Sequence, residues 1–369
     1  MFTEQSVRNV LVDLAGFVSK QHFTKHHKYY VPGLNWQDHL GLDSIQIMEL
    51  AAYVNSLFHL FETDKKNYLL EDAFVDHWVQ KVISARSEKN KQLTFRTSGT
   101  SGNPGSVTHT VDFLMREIGV LATFFKHASQ VVTYVPAHSI YGFLFTVLLP
   151  EYLNIPVVHA SEVQWSELSA TAILVATPFH WPHILPAFQK SDSINCYGVS
   201  ATAMLTPALN DMIVEKGVDL LEVYGSTETA GIGYKRGIDA FQLFPYLCFK
   251  KYNDKMAVID KDTNLSLPLQ DELIILENSF FSVAKRKDNK VNIAGNLVDL
   301  SEVETIIHTI DNIKYCNISA KMIEYNTQLI IVLTLKQDSQ DLRAIAIAAI
   351  NKHLPAHQTP RYYSFEERN

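Results

Sequence analysis

The chain has 369 residues, 47% hydrophobic and 19% charged, with a formal net charge of −7, enough apolar sequence for a large core in two or three domains. The acidic balance excludes a general basic footprint for nucleic acid or an anionic membrane, and the short cluster Lys25-His26-His27-Lys28 reads as a solvated loop. No apolar run reaches the ~18 residues of a spanning helix, Met1 to Lys20 carries charges through an amphipathic pattern rather than a signal peptide, and Cys196, Cys248 and Cys316 stand far apart without metal-type spacing, so a soluble cytoplasmic protein with buried free thiols is expected.

In chain order, Val7, Val10, Leu11, Leu14, Phe17 and Val18 fall on one helical face. After a polar and aromatic loop to Asp38, either Asp43 or Ser44 is placed to cap a helix continued by Ile45, Met48, Leu50, Ala52 and Val54. Phe58 to Glu62 reads as a turn or extended segment, and Leu70 to Ser84 as a third amphipathic helix. The pattern then changes. Leu93 to Phe95 is a short strand and Asp112 to Phe125 a helix. Val131–Val135, Val157–Val158, Ala172–Ala176 and Leu221–Tyr224 are β-rich apolar runs separated by helical patches, which predicts an α/β core with layered, partly parallel sheets. Past Asp288 a smaller α+β unit is expected, with strands at Asn317–Met322 and Leu329–Leu335, a helix at Asp341–His353 and a capping box at Ser301–Glu304.

Two segments carry chemistry. Thr97, Ser98, Gly99, Thr100, Ser101 and Gly102, followed by Asn103 and Pro104, form a loop between strand and helix with two glycines and four hydroxyls. Backbone N–H groups in such a loop make a concave site for phosphate. No Gly-Lys-Ser/Thr follows, so it is not the P-loop of nucleotide triphosphatases, nor is it a dinucleotide fingerprint. Tyr224, Gly225, Ser226, Thr227 and Glu228 combine an aromatic face, a tight turn, two hydroxyls and a carboxylate, parts that suit adenine, a ribose or phosphate contact and a magnesium ion. Either segment alone is an ordinary turn; the pair points to a nucleoside triphosphate site. His138 and Tyr141 follow the Val131–Val135 strand, at the edge of an open sheet where ligands gather, although a lone histidine there is as readily structural.

Together these residues resemble the adenylate-forming superfamily of acyl-CoA synthetases, aryl-acid ligases, peptide-synthetase adenylation domains and luciferases, from Leu93 to the C-terminus. Thr97 to Pro104 follows the family's Thr-Ser-Gly-Thr/Ser-Thr/Ser-Gly-x-Pro-Lys pattern, with Gly105 in place of the lysine. Pro136 to Gly142 is similar to the motif lining the acyl pocket, Gly198 to Ala203 to the small-residue strand and turn beside adenine and acid, and Arg286 to Gly295 with Val298 to Glu304 to the hinge and first strand of the mobile C-terminal domain. The resemblance implies ATP, with Thr97 to Gly102 at the β/γ phosphates, Tyr224, Gly225 and Ser226 at adenine, Thr227 at the α-phosphate, Glu228 on Mg²⁺, and Asp271 and Arg286 at the ribose. Thr227, Glu228 and His138 would be catalytic. His138, Tyr141, Gly142, Gly198, Ser200 and Ala201 would border the acid, and Phe143, Phe145, Phe179 and Trp181 would suit an aryl ring or simply the core. It also implies an adenylation core over 89–287 and a lid over 288–369 hinged at Asp288.

Pro136 to Pro150 is most similar to the aryl-acid ligases of bacterial aryl-polyene and xanthomonadin-type pathways, which load an aromatic acid onto a carrier protein. The implied partners are a small carboxylic acid and, as acceptor, an acyl carrier protein or CoA, without nucleic acid and without a membrane span. Gly41 to Leu50 resembles the phosphopantetheine attachment motif of carrier domains, so residues 1–88 read as a helical carrier-like segment with Ser44 as the candidate for the arm, or as a helix cap alone. The family's catalytic lysine follows a Pro-Arg…Gly-Lys stretch, whereas this sequence reads Pro360-Arg361 and stops at Asn369 before it. A degenerate, non-catalytic nucleotide- or carrier-binding relative therefore stays open beside the ligase.

Overall fold

A computed structural model of the chain describes residues 2–21, 33–60, 68–88, 91–97, 105–165, 168–188, 196–237, 240–252, 255–286, 290–293, 296–323 and 326–366. It opens with three helices, α1 (Glu4–Ser19), α2 (Ser44–Phe58) and α3 (Val75–Glu88). Thr3 caps α1 by accepting from the Ser6 N–H, and Lys20 ends it in the left-handed region at φ 55°. Asp43 is the cap of α2, in a reciprocal box with Gln46. That start turns Ile47, Leu50, Ala51 and Val54 inward and leaves Ile45 and Met48, expected on the apolar face, 69% and 52% exposed. The helix expected from Leu70 is divided into a 3₁₀ turn, Tyr68–Glu71, and α3. Asp72 between them accepts from the Phe74 N–H at 3.0 Å, a local bond that competes with helix continuation.

A hairpin of β1 (Gln92–Arg96) and β2 (Ser106–Thr110) leads into α4 (Val111–Ala122). Next come β3 (Gln130–Thr133), the helical stretch α5 (Ile140–Phe143) and α6 (Leu149–Leu153) joined by a π-type segment, β4 (Val157–His159) and β5 (Ala172–Ala176). They are followed by α7 (Trp181–Ile184), β6 (Tyr197–Ser200), α8 (Pro207–Glu215), β7 (Asp219–Ser226), β8 (Ala230–Lys235) and β9 (Phe241–Leu243). A second hairpin, β10 (Leu247–Tyr252) with β11 (Lys255–Asp260), precedes β12 (Asp271–Ile275) and β13 (Phe280–Arg286). The main sheet has nine strands in the order β12-β13-β9-β8-β7-β6-β5-β3-β4. From β4 to β7 neighbours run parallel, and from β7 to β12 they run antiparallel. The expected partly parallel α/β architecture is what forms.

One hydrophobic cluster joins the N-terminal helices to this sheet, with Leu11, Leu14, Val54 and Trp78 in the same core as Phe95, Phe143 and Phe145. The Phe2 ring packs edge-on against both Phe58 and Phe143. The helical segment thus has its apolar faces in the main core and lies on the sheet as a layer. A second cluster, with Trp181, Ile184, Leu209 and Leu220, covers the other face.

The C-terminal unit has a core of its own, including Val303, Ile307, Ile331 and Ile350. It consists of β14 (Lys290–Ile293), β15 (Asn296–Asp299), α9 (Leu300–His308), β16 (Ile313–Ile323), β17 (Asn326–Leu335), α10 (Gln340–His353) and β18 (Tyr362–Phe365), with β18 parallel to β17. The capping box expected from Ser301 gives way to Asp299, whose carboxylate accepts from the Ser301 and Glu302 N–H groups at 3.0 and 3.3 Å. Among the described residues no helix is long and apolar enough to cross a membrane, and the three cysteines are free, Cys196 and Cys316 buried and Cys248 half-buried.

Candidate active site

The carboxyl ends of β3, β5, β6 and β7 lie side by side, so the loops that leave them meet along one edge, the usual ligand position of an open α/β sheet. At β7 that loop is the Tyr224–Glu228 turn. A bulge falls between Tyr224 and Gly225, and a Cβ at Gly225 would stand 2.1 Å from the Ala230 carbonyl oxygen, so only glycine fits. Hydroxyls tie the turn: the Ser226 N–H donates to Thr229 Oγ1 at 3.1 Å, and that hydroxyl donates to the Ala230 carbonyl at 2.8 Å. Thr227 and Glu228 sit half-exposed on this braced turn.

Two distant segments converge on it. His109 of β2, buried and stacked on Phe113, donates from Nε2 to the Thr227 carbonyl at 2.7 Å. Burial lowers its pKa against the opposing pull of that hydrogen bond and of Glu228, so the ring is neutral with its proton on Nε2. Tyr224 donates from its hydroxyl to Asp271 Oδ2 at 2.5 Å, while its ring rests against Phe241 and Phe281. Asp271 and Arg286 are direct partners across β12 and β13, which puts the two residues expected at a ribose opposite one another.

The hairpin neck beneath the expected phosphate loop is closed by Gly105, whose carbonyl accepts from the Thr97 N–H at 2.8 Å and from Thr97 Oγ1 at 3.2 Å. Ser98, Gly99, Thr100, Ser101, Gly102 and Asp288, the residue expected at the hinge, lie outside the described residues.

The loop from β3 to α5 carries the expected acid-side residues. Ser139 caps α5 through the Gly142 N–H, and a Cβ at Gly142 would lie 1.9 Å from the Pro136 carbonyl oxygen. Gly142 therefore serves the backbone approach. Tyr141 is buried, and its hydroxyl donates between the Ala176 and Val199 carbonyls at 2.7 and 3.1 Å. It ties the ends of β5 and β6 together, and burial pushes its pKa well up. Ser200 is fully buried, with an Oγ that meets no partner among the described residues. Ala201 belongs to the main core. Gly198 faces the other side: the space beside its Cα is filled by Val218 and Trp181 at 2.6 and 2.9 Å from a would-be Cβ. Phe143, Phe145 and Trp181 are core residues and Phe179 is partly exposed. Ser44 is exposed as the first residue of α2.

Three neighbours were not legible as site residues in sequence. Besides His109, these are Asp13 and Phe17 on α1. The Asp13 carboxylate accepts from the Ala137 N–H at 2.6 Å, and the Phe17 ring lies 5.3 Å from His138. Their spacing of one helical turn was visible, but not which loop they would meet. At the edge of β5, His180 Nδ1 accepts from the Thr177 N–H at 3.2 Å, and burial, with His183 adding to it, pushes its pKa down to about 4, so it stays neutral.

Glu117 of α4 supports β8 from below. It is fully buried, Oε2 accepts from the Gly231 N–H at 2.9 Å, and Oε1 meets no partner among the described residues. Burial pushes its carboxyl from 4.5 up to about 7. The folded state then holds this proton more tightly than the unfolded chain. Its stabilising contribution is complete below the unfolded value and is lost as pH climbs through about 7, on the order of 3 kcal/mol in all. Glu117→Gln is expected to flatten the fall in urea-unfolding free energy across that window; an unaltered slope would mean the carboxyl is ionised in the fold.

No protein-family profile matches the chain. A 4-coumarate–CoA ligase of Rhodobacter capsulatus is 31% identical over 287 residues, 73% of this chain and 73% of that protein. One of Cereibacter sphaeroides is 28% identical over 342 residues, 89% and 81% of the two chains. Among solved structures, the amide bond synthetase McbA of Marinactinospora thermotolerans shares the fold with a TM-score of 0.62 at 15% identity, over 74% of this chain and 65% of that one. Identity of that extent, carried on this sheet and this turn, means that the chain belongs to the adenylate-forming acyl-CoA synthetase and AMP-ligase family.

Proposed function

We propose that the protein activates a small aromatic carboxylic acid with ATP and passes the acyl group to the thiol of CoA or of a carrier protein. The observation that carries this reading is the braced Tyr224–Glu228 turn, bonded to Asp271 and flanked by the His138 loop on one sheet edge. The 4-coumarate–CoA ligase names of the relatives support an aromatic acid. A carboxylate oxygen attacks the α-phosphorus, the bond to pyrophosphate breaks, and an acyl-adenylate forms. A thiol sulfur then attacks the acyl carbon, the bond to AMP oxygen breaks with AMP leaving, and the thiol proton is lost as the thioester forms.

In this reading Tyr224 faces adenine, Asp271 and Arg286 take the ribose, Thr227 contacts the α-phosphate, and Thr97 to Gly102 hold the outer phosphates. Glu228 offers a half-exposed carboxylate next to the Thr227 hydroxyl, a fitting donor set for Mg²⁺, which binds through one or two carboxylates plus substrate phosphates. The ion would neutralise charge on the departing pyrophosphate. His138 and Ser200 border the acid, while Tyr141 and Gly142 set the backbone around it. The units 1–88, 89–287 and 288–369 act as helical layer, adenylation core and lid, with Asp288 as hinge.

ATP–pyrophosphate exchange with a pool of hydroxybenzoic, cinnamic and short fatty acids tests this. Exchange with the aromatic members supports it. Silence in a protein that still binds ATP supports the non-catalytic relative. A second reading, a pantetheine arm on Ser44, is favoured by the exposure of Ser44, Ile45 and Met48 together. It expects a mass gain on incubation with CoA and a phosphopantetheinyl transferase, abolished in Ser44→Ala.

A further inference from the structure

We propose that Arg96, Tyr53 and Phe17 form the landing surface for the thiol acceptor, with its phosphate on Arg96 and its thiol end at His138; this rests on the acid-activation reading above. Arg96 ends β1, opposite Ser106 and next to the hairpin neck. Its guanidinium lies over the Tyr53 ring of α2, 3.3 Å from the centroid. Arg8, Arg116, Arg236 and Arg343 each face a carboxylate. Arg96 faces a ring instead, and among the described residues no carboxylate pairs with it. Glu49, one turn earlier on α2, acts electrostatically on Tyr53 but forms no ion pair with Arg96. A guanidinium stacked on an aromatic ring keeps its planar fork oriented and its charge available for a phosphate.

Strand alternation sets Arg96 apart from the contact between the hairpin and the nucleotide turn. Successive side chains of β1 point to opposite faces. Phe95 packs on His109, and His109 holds the Thr227 carbonyl, so that face of the hairpin meets the nucleotide turn. Arg96 is on the other face, with Thr94, which bonds His59 at the end of α2. From Arg96 the contacts continue through α2 to α1. Tyr53 meets Phe17 edge-on at 5.6 Å, and Phe17 meets His138 at 5.3 Å. Phe17 is 54% exposed although Val10 and Leu11 on the same helix are fully buried. Four segments, the end of β1, α2, α1 and the β3–α5 loop, thus assemble a row of cation, ring, ring and imidazole, exposed at Arg96 and Phe17 and half-buried at Tyr53 and His138. Its chemistry matches an arm with a phosphate at one end, a flexible chain, and a thiol to be delivered beside the acid.

Coenzyme A is the probe. Arg96→Gln is expected to raise the KM for CoA in the thioester-forming reaction about tenfold, the loss of one charge-assisted contact, while kcat and acceptor-free ATP–pyrophosphate exchange hold. Phe17→Ala is expected to raise the same KM, and Phe17→Tyr to restore it. Exchange falling in step with transfer in Arg96→Gln would assign the cation to the nucleotide and overturn the proposal, as would an unchanged KM for CoA. Calorimetric titration of the full chain with CoA alone needs no turnover: about tenfold weaker binding in Arg96→Gln supports the surface, and equal binding overturns it. Absence of exchange in the wild type counts against acid activation, and the titration then decides the acceptor surface by itself.

Discussion

Glu228→Gln is expected to lower ATP–pyrophosphate exchange by about 10²- to 10³-fold, the scale of removing one preorganised electrostatic contact from a reacting centre. The amide keeps the size of the side chain and one acceptor oxygen but not the charge that a magnesium ion needs. Folding is expected to survive, because the hydrogen bonds that brace the turn come from Ser226, Thr229 and the backbone, and Glu228 is half-exposed. The measurement is exchange rate against magnesium concentration, with the urea midpoint of each protein as control. Wild-type kinetics in the variant would remove Glu228 from the metal and leave Thr227 and the loop to account for phosphate binding.

Gly142→Ala is expected to destabilise the fold by about 3 kcal/mol or more, as overpacking against rigid structure does at its severe end. The atom in the way is the Pro136 carbonyl oxygen, 1.9 Å from the new Cβ, and main chain cannot swing aside as a side chain can. Relief requires α5 to move, which would pull Tyr141 off the Ala176 and Val199 carbonyls and open the edge where β5 and β6 end. Gly198→Ala is the control. There the obstacles are Val218 Cγ1 and Trp181 Cη2, side-chain atoms able to repack, so a smaller loss of about 1–2 kcal/mol is expected. Urea unfolding of both variants checks the pair, and equal losses would show that the carbonyl contact does not set the cost.

Much of this molecule was legible in its sequence. Runs such as Ala172–Ala176 and Val131–Val135 are short and apolar, and they became central parallel strands, the second over Gln130–Thr133. Tyr224 to Glu228 sets a glycine, hydroxyls and a carboxylate at fixed spacing, and it forms the braced turn that ends β7, whereas the phosphate-loop expectation for Thr97 to Gly102 falls mostly outside the described residues. Period and turn chemistry act over a few residues, so the sequence carries them directly.

What the sequence could not supply depended on distance along the chain. Ile45 and Met48 fit a helical period, but which side of α2 would be covered depended on where the sheet lay, and the covered side is that of Ile47 and Val54. Tyr141 and Gly198 were read as pocket residues from their motifs. Tyr141 is drawn to carbonyls at the ends of β5 and β6, and the space at Gly198 is taken by Trp181. His109, Asp13 and Phe17 became neighbours of the Tyr224–Glu228 turn and the β3–α5 loop only when a hairpin and a helix from far along the chain met them. The sequence by itself determined the central parallel strands, the helical periods and the family. The tertiary structure alone decided which faces were covered and which charges were neutralised, because burial and pairing are properties of contacts between segments far apart in the chain.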